Sequence, residues 1–386
     1  MSTSIQEYRS LPILVFYLVL ASALTANASL TVYQRYQAAA ANPRWRRTPH
    51  RRQFLWFLFL ASASLATTWY YMFAFFAHSY RGWRAQHSHS IALALDLQHA
   101  SAPWKYELWL RETRLFRLAW ETVSETPERH WWSGQIFLFT VGWSVLLGVL
   151  GGKASDADQI GRWFRIPRVW AYMLLGQIVA ISFAQNLFAA TVVASASASL
   201  HFSEADAEGE TETETETETE TEDKVNQVMV WTPPAILELV PVFLSLVGAA
   251  AVPLVAHTRF FMPVLLLPHL LLFAPALVAS GAPGAPGRGV STSVSASTSA
   301  SAATRRYVRV FRWLGAVMAG LLAQATYEVV VVGAAGGGPV WRRLLGAMHE
   351  HPAVSSVSWD VVFCFVTAVS WVLVNRGEAR RMLGMP

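Results

Sequence analysis

The chain has 386 residues, 53% of them hydrophobic and only 14% charged, with a mean hydropathy of +0.32. Soluble domains carry about 25% charged residues, and the apolar residues here fall in long blocks. That excludes an ordinary soluble enzyme and predicts an all-α fold, a polytopic membrane helical bundle forming one domain. Of the 25 acids, 11 lie between Glu204 and Asp223, which leaves the rest of the chain at +16. Such an excess suits membrane-flanking loops, and no basic run is joined to a nucleic-acid-binding motif. Cys364 is the only cysteine, so disulfides, zinc clusters and iron–sulfur sites are excluded.

A hydrocarbon core of about 30 Å needs about 20 apolar helical residues. Eight segments meet that length: roughly 11–30, 54–77, 134–151, 169–194, 235–256, 260–280, 307–333 and 357–375. The first also carries Ala26-Asn27-Ala28, a small-residue pattern of the kind found at signal-peptide cleavage sites, but Glu7 spoils the basic flank. Residues 203–223 hold a Thr-Glu repeat whose like charges repel, and 281–304 are rich in Gly, Ala, Ser and Pro; both are expected to be disordered. Between them, Pro241, Pro253, Pro263, Pro268 and Pro275 predict kinks or a cavity wall. Eight crossings place both termini on one side, with 17 Lys and Arg there against 13 on the other, a margin that leaves orientation open.

The loop at 78–133 contains the one extramembrane pattern. Over 107–125, Leu108, Trp109, Leu115, Phe116, Ala119, Trp120 and Val123 share an arc at 100° per residue, which predicts an amphipathic helix of about five turns. Glu107 with Arg111, and Arg117 with Glu121, are spaced for i,i+4 pairing on its polar face. Glu112 projects from the middle of the apolar arc. A carboxyl kept dry among rings is held neutral and can donate a proton; pairing with Arg111, Arg129 or a lipid headgroup is the alternative.

Carboxylates inside membrane segments are costly and are functional candidates by default. Glu238, Glu328 and Asp360 qualify, each near a span end. By chain parity Glu238 belongs on the side of the Glu112 helix, and Glu328 with Asp360 on the other. The fourth segment adds Gln177, Ser182, Gln185 and Asn186, which read either as interhelical hydrogen bonds or as a polar lining for a substrate oxygen. Many of the 17 tryptophans (Trp56, Trp69, Trp131, Trp132, Trp170, Trp341, Trp359) sit at span ends, as an interfacial belt requires. Trp109 and Trp120 share the Glu112 arc, where ring faces favour a nearby cation. The sequence has no phosphate loop, HExxH or GxSxG motif and no aspartate-rich magnesium site, so no metal or cofactor is expected.

Four phrases carry a resemblance: Glu107-Leu-Trp-Leu-Arg-Glu-Thr-Arg-Leu-Phe; Ala119-Trp-Glu with Trp131-Trp132; Leu175-Gly-Gln-Ile-Val-Ala-Ile-Ser-Phe-Ala-Gln-Asn-Leu-Phe188; and His351-Pro-Ala-Val-Ser-Ser-Val-Ser-Trp-Asp360. Together they resemble the fungal membrane-bound terpene cyclases of the ascofuranone and macrophorin type, over about 10–375 without the two low-complexity loops. The resemblance implies an enzyme of the endoplasmic reticulum, working in meroterpenoid biosynthesis. It would cyclise the farnesyl chain of a lipophilic prenylated phenol or epoxyquinol, started by protonation of an epoxide or alkene without metal. Glu112 and then Asp360 are the expected acids, with Glu238 and Glu328 as base or relay. Trp109, Phe116, Trp120, Gln177, Gln185 and Asn186 are the expected substrate contacts. The competing reading is a transporter or exporter of a lipophilic metabolite.

Overall fold

The computed structural model describes residues 10–43, 45, 48–88, 102–151, 166, 168–209, 235–256, 258–273, 296–332 and 338–378. Among them there are twelve helices and no strand. In chain order they are α1 (Ser10–Ala40), α2 (Pro49–Ser88), α3 (Ala102–Thr113), α4 (Leu115–Thr122), α5 (Pro127–Gly151) and α6 (Val169–Ile178). There follow α7 (Ile181–Gly209), α8 (Ala235–Val255), α9 (Phe261–Leu271), α10 (Ala296–Val332), α11 (Val340–Glu350) and α12 (Pro352–Val374). Four are long and apolar enough to cross a membrane: Ser10–Ala40, Pro49–His87, Val308–Val331 and Pro352–Val374. Their outer faces leave large apolar side chains bare, among them Phe16, Phe59, Tyr70 and Leu373, a pattern suited to hydrocarbon rather than water.

The helical limits differ from expectation at the low-complexity segments. Helix α7 runs into the acidic stretch as far as Gly209, and α10 begins at Ala296. Residues 210–223 and 281–295 lie outside the described residues.

The core is built around α7. Every residue from Ala180 to Ser195 is buried, because α1, α2, α5, α6 and α12 pack around it. Small side chains (Ser182, Ala184, Ala189, Ala190, Ala194) let those neighbours approach closely, as in membrane helix packing generally.

The segment expected as a single fourth span is instead a helical hairpin. In one straight helix Tyr172 and Thr191 would be about 28 Å apart at 1.5 Å per residue. Their hydroxyls are 2.9 Å apart, and the Tyr172 ring meets the Phe188 ring edge-on at 5.4 Å. Helices α6 and α7 therefore run antiparallel, turning at Val179 and Ala180. Gly176 permits the close approach, since a Cβ there would sit 3.4 Å from that of Ala184. A second tight pair, α8 and α9, closes where a Cβ on Gly248 would meet Pro268 at 2.9 Å.

The amphipathic segment is also broken. Arg114 adopts a left-handed conformation (φ 46°) and separates α3 from α4. A continuous helical wheel consequently misassigns α3. Glu107, expected on the polar face, is only 4% exposed. Its two oxygens accept the Ser10 and Leu11 N–H groups at 2.9 and 2.6 Å. It serves as an N-cap donated to α1 from another helix and satisfies two N–H groups that a helix start leaves orphaned. The Arg117–Glu121 pair forms as its spacing predicts, at 2.7 Å.

Candidate functional site

The turn between α6 and α7 is the polar centre of the bundle. A helix end buried away from water must find partners for its free N–H and C=O groups. Asp360, on α12, supplies them for α7: Oδ2 accepts Ile181 N–H at 3.1 Å and Oδ1 accepts Ser182 N–H at 2.9 Å. The Ser182 hydroxyl in turn pairs with that of Ser64 on α2. On the α6 side, Tyr17 of α1 donates its hydroxyl to the Ile178 carbonyl at 2.8 Å. Side chains from α1, α2 and α12 thus hold the turn.

Against this turn lies a cavity of about 330 Å³, walled by α1, α2, α4 and the first turns of α12. Its lining is aromatic, with Tyr17, Tyr71, Phe75, Phe76, Phe116 and Trp120. Phe116 meets Tyr17 edge-on at 5.5 Å, and Trp120 stacks on Phe137 at 5.4 Å. Its polar side chains are Thr68, Ser356 and Gln177 besides the tyrosines. The Gln177 Nε2 is buried without a hydrogen-bond partner among the described residues. Asp360 follows Ser356 by four residues on α12 and so lies on the same face, one turn beyond the wall.

Three of the expected substrate contacts, Phe116, Trp120 and Gln177, meet at this cavity. Trp109 stands behind it; it is buried, donates its indole N–H to Ser79 at 3.2 Å and packs edge-on to the cavity residue Phe76. Gln185 lines a separate cavity. Asn186 donates to the Ser182 carbonyl of its own helix and, across to α12, to the Thr367 hydroxyl, each at 2.8 Å; the second is the interhelical bond.

The carboxylates are not brought together. The Glu112 side chain is 38% exposed, and its Oε2 lies 3.0 Å from His87 Nε2. That oxygen also accepts the Trp83 indole N–H at 2.7 Å. The expected dry setting among rings is thus not found: Glu112 is partly exposed, bonded to the Trp83 indole and beside His87, and the break at Arg114 separates α3 from the α4 arc. Its partners are not the arginines considered from the sequence. Arg129 instead pairs with Glu350 at 2.8 Å and with Glu125. Glu328 accepts from Gln324 at 3.3 Å and lines a third cavity with His130, well apart from the α7 cap. Glu238 lies in the first turn of α8, and its side chain falls outside the described residues.

Tyr17 and Ser64 have no role that the sequence indicates, and Glu107, expected on a polar face, is a helix cap instead. A tyrosine and a serine inside apolar runs give no signal until the hairpin is known. His351 stands just before α12 as its N-cap. Its Nδ1 accepts Ala353 N–H at 3.2 Å, and its ring packs edge-on to His78 at 4.8 Å. Burial, with the nearby His78 and Arg129, pushes the His351 imidazole down to about 4.

Comparison of the chain with family models, curated proteins and solved structures gives no match.

Proposed function

We propose that the chain is a multi-pass membrane enzyme of the endoplasmic reticulum, a terpene cyclase that closes the farnesyl chain of a lipophilic prenylated phenol or epoxyquinol without metal. The observation that carries this reading is the ring-lined cavity beside the capped helix turn. A prenyl chain fills apolar space, ring faces favour the cation that travels along it, and exclusion of water prevents early quenching. About 330 Å³ is at the small end of ligand pockets, which suits one such chain.

In this reading Asp360 is the carboxyl of the reaction. Protonated, it gives its proton to the epoxide oxygen or terminal alkene. The C–O bond of the epoxide opens, or the alkene becomes a cation, and the next double bond attacks to close a ring. Loss of a proton from the last cationic carbon returns Asp360 to its starting state and leaves a product of unchanged mass. The two backbone N–H groups fix the carboxyl in position, the rigid support that a catalytic group needs.

Microsomes bearing the chain, supplied with a farnesylated phenol epoxide and EDTA, are expected to form a cyclic isomer of equal mass by chromatography and mass spectrometry. Unaltered substrate, or activity abolished by the chelator, overturns the proposal. One observation favours transport instead: a helix interrupted within the bundle, as carriers have at their binding sites. In carriers the exposed helix N-terminus receives an anionic substrate, whereas here Asp360 already fills it. Efflux of unmodified compound from vesicles would support that second reading.

A further inference from the structure

The cavity that holds Glu328 lies between α5, α8 and α10, has a volume of about 250 Å³ and shares no residue with the ring-lined cavity. The polar groups around it are chiefly acceptors. Gln135, only 3% exposed, gives its Nε2 to the Trp131 carbonyl at 2.9 Å, and its carbonyl oxygen has no partner among the described residues. Gln324 gives its Nε2 to Glu328 Oε1 at 3.3 Å, which leaves a second amide oxygen and Glu328 Oε2. The Trp131 indole N–H is already taken by the Thr326 hydroxyl at 2.9 Å. Pro253, inside α8, has no N–H to offer the Ala249 carbonyl one turn back, and both residues line the cavity.

The charge is unbalanced as well. Glu328 has no lysine or arginine partner among the described residues. Arg343, which bonds the neighbouring Val329 carbonyl, pairs with Glu128 at 3.1 Å. His130 precedes the apolar segment 134–151 and also borders the cavity. Burial pushes its imidazole below the ordinary value against the pull of Glu328, so it is neutral at pH 7 and does not balance the carboxylate. One uncompensated carboxylate among carbonyl oxygens is complementary to a cation that carries several N–H donors. We propose that this cavity binds a primary ammonium group, carried by a membrane aminophospholipid or a free alkylamine, whose N–H groups reach Glu328, Gln135 and Gln324. The space of about 250 Å³ exceeds what a bare metal ion fills, since its oxygen ligands must close to about 2.0–2.6 Å. Glu328 lies within a turn of the end of the apolar helix Val308–Val331, and Leu254 at the cavity is 82% exposed. Where that helix crosses a bilayer, the cavity opens sideways at headgroup level. This site goes beyond the proposed cyclisation and does not depend on it. It gives Glu328 a use other than the expected base or relay.

The test uses the full chain purified in an uncharged detergent, with tritiated dioctanoyl phosphatidylethanolamine and tritiated hexylamine as probes. Their competitors are dioctanoyl phosphatidylcholine and hexyltrimethylammonium, which keep chain and charge but have no N–H. Saturable binding of at least one probe is expected, with its trimethylated counterpart about tenfold weaker. Binding of the lipid alone assigns the ammonium to the bilayer, and binding of the amine alone assigns it to a soluble ligand. Glu328→Gln, which keeps the shape and removes the charge, is expected to weaken the bound probe about tenfold. Gln135→Leu is expected to narrow the preference over the trimethylated counterpart. Monodispersity on gel filtration shows that each variant is folded, and where Glu328→Gln is not, Gln135→Leu decides. Four results overturn the proposal: no saturable binding of either probe, equal affinity for a probe and its trimethylated counterpart, unchanged binding by a folded variant, or displacement by potassium at concentrations no higher than the probe's.

Discussion

Asp360→Ala is the sharpest perturbation of the bundle, because one carboxylate closes the start of α7. Its removal strips the acceptors from Ile181 and Ser182 N–H, which are held at 3.1 and 2.9 Å. An unsatisfied buried donor costs about 1–3 kcal/mol. Allowing for partial relaxation, the hairpin loses about 3–4 kcal/mol, or two to three orders of magnitude in its opening equilibrium. The chain contains its own reporter: Cys364, fully buried, follows Asp360 by four residues on α12. Under native conditions, labelling of that thiol by a membrane-permeant maleimide tracks local opening. Asp360→Ala should speed labelling about a hundredfold or more. Asp360→Asn, which keeps the volume and one acceptor oxygen, should speed it about tenfold. Labelling of Asp360→Ala within threefold of the unaltered chain would refute the capping argument.

Glu107→Ala removes the two acceptors at the start of α1; it should cost about 1–2 kcal/mol and hasten proteolysis near residue 10. Tyr172→Phe deletes the hydroxyl that meets Thr191 and should lower stability in detergent by about 1 kcal/mol, read from thermal unfolding. His351 is neutral when folded down to about pH 4 but takes a proton when unfolded near its ordinary 6.5. Stability therefore falls as pH drops from 6.5 toward 4, and His351→Asn, which can still cap α12, should flatten that part of the melting-temperature profile. Under the cyclase reading Glu112→Gln should leave turnover within threefold while Trp120→Leu lowers it at least tenfold, measured as isomer formed per unit of expressed protein. A collapse with Glu112→Gln would return that residue to the chemistry.

What the sequence disclosed was composition and periodicity. Length and apolarity suffice for α1, α2, α10 and α12, since 20 apolar residues have few other uses. Phe116, Trp120 and Gln177 could be named because aromatic and amide side chains stand out in their local patterns. The break at Arg114 was hidden because a left-handed arginine has no local signal, unlike glycine; the wheel over 107–125 held within α4, where Arg117 and Glu121 pair, and failed for the two glutamates of α3. Glu107 and Glu112 exchanged places for that reason. The α6–α7 turn was equally hidden, since Ile178-Val179-Ala180 contains neither glycine nor proline and reads as uninterrupted helix.

The hairpin changes how an intramembrane carboxylate is to be read. From the sequence, Asp360 was either a reactive group or a side chain reaching toward water. In the fold it answers a third need, the two bare N–H groups of a helix that begins inside the bundle. A cap of this kind is itself a reason for a carboxylate, so position alone does not make Asp360 reactive. Tyr17 makes the same point from the carbonyl end, where it is bonded to Ile178 and still lines the cavity. Structural and chemical roles are separable here because they depend on different properties. Capping needs an acceptor at both oxygens, which Asn supplies at one, whereas proton transfer needs an ionisable group, which Asn lacks entirely. Asp360→Asn should therefore lose cyclisation far more completely than it loosens Cys364. If turnover declines only in proportion to thiol labelling, Asp360 is a cap and the proton comes from elsewhere.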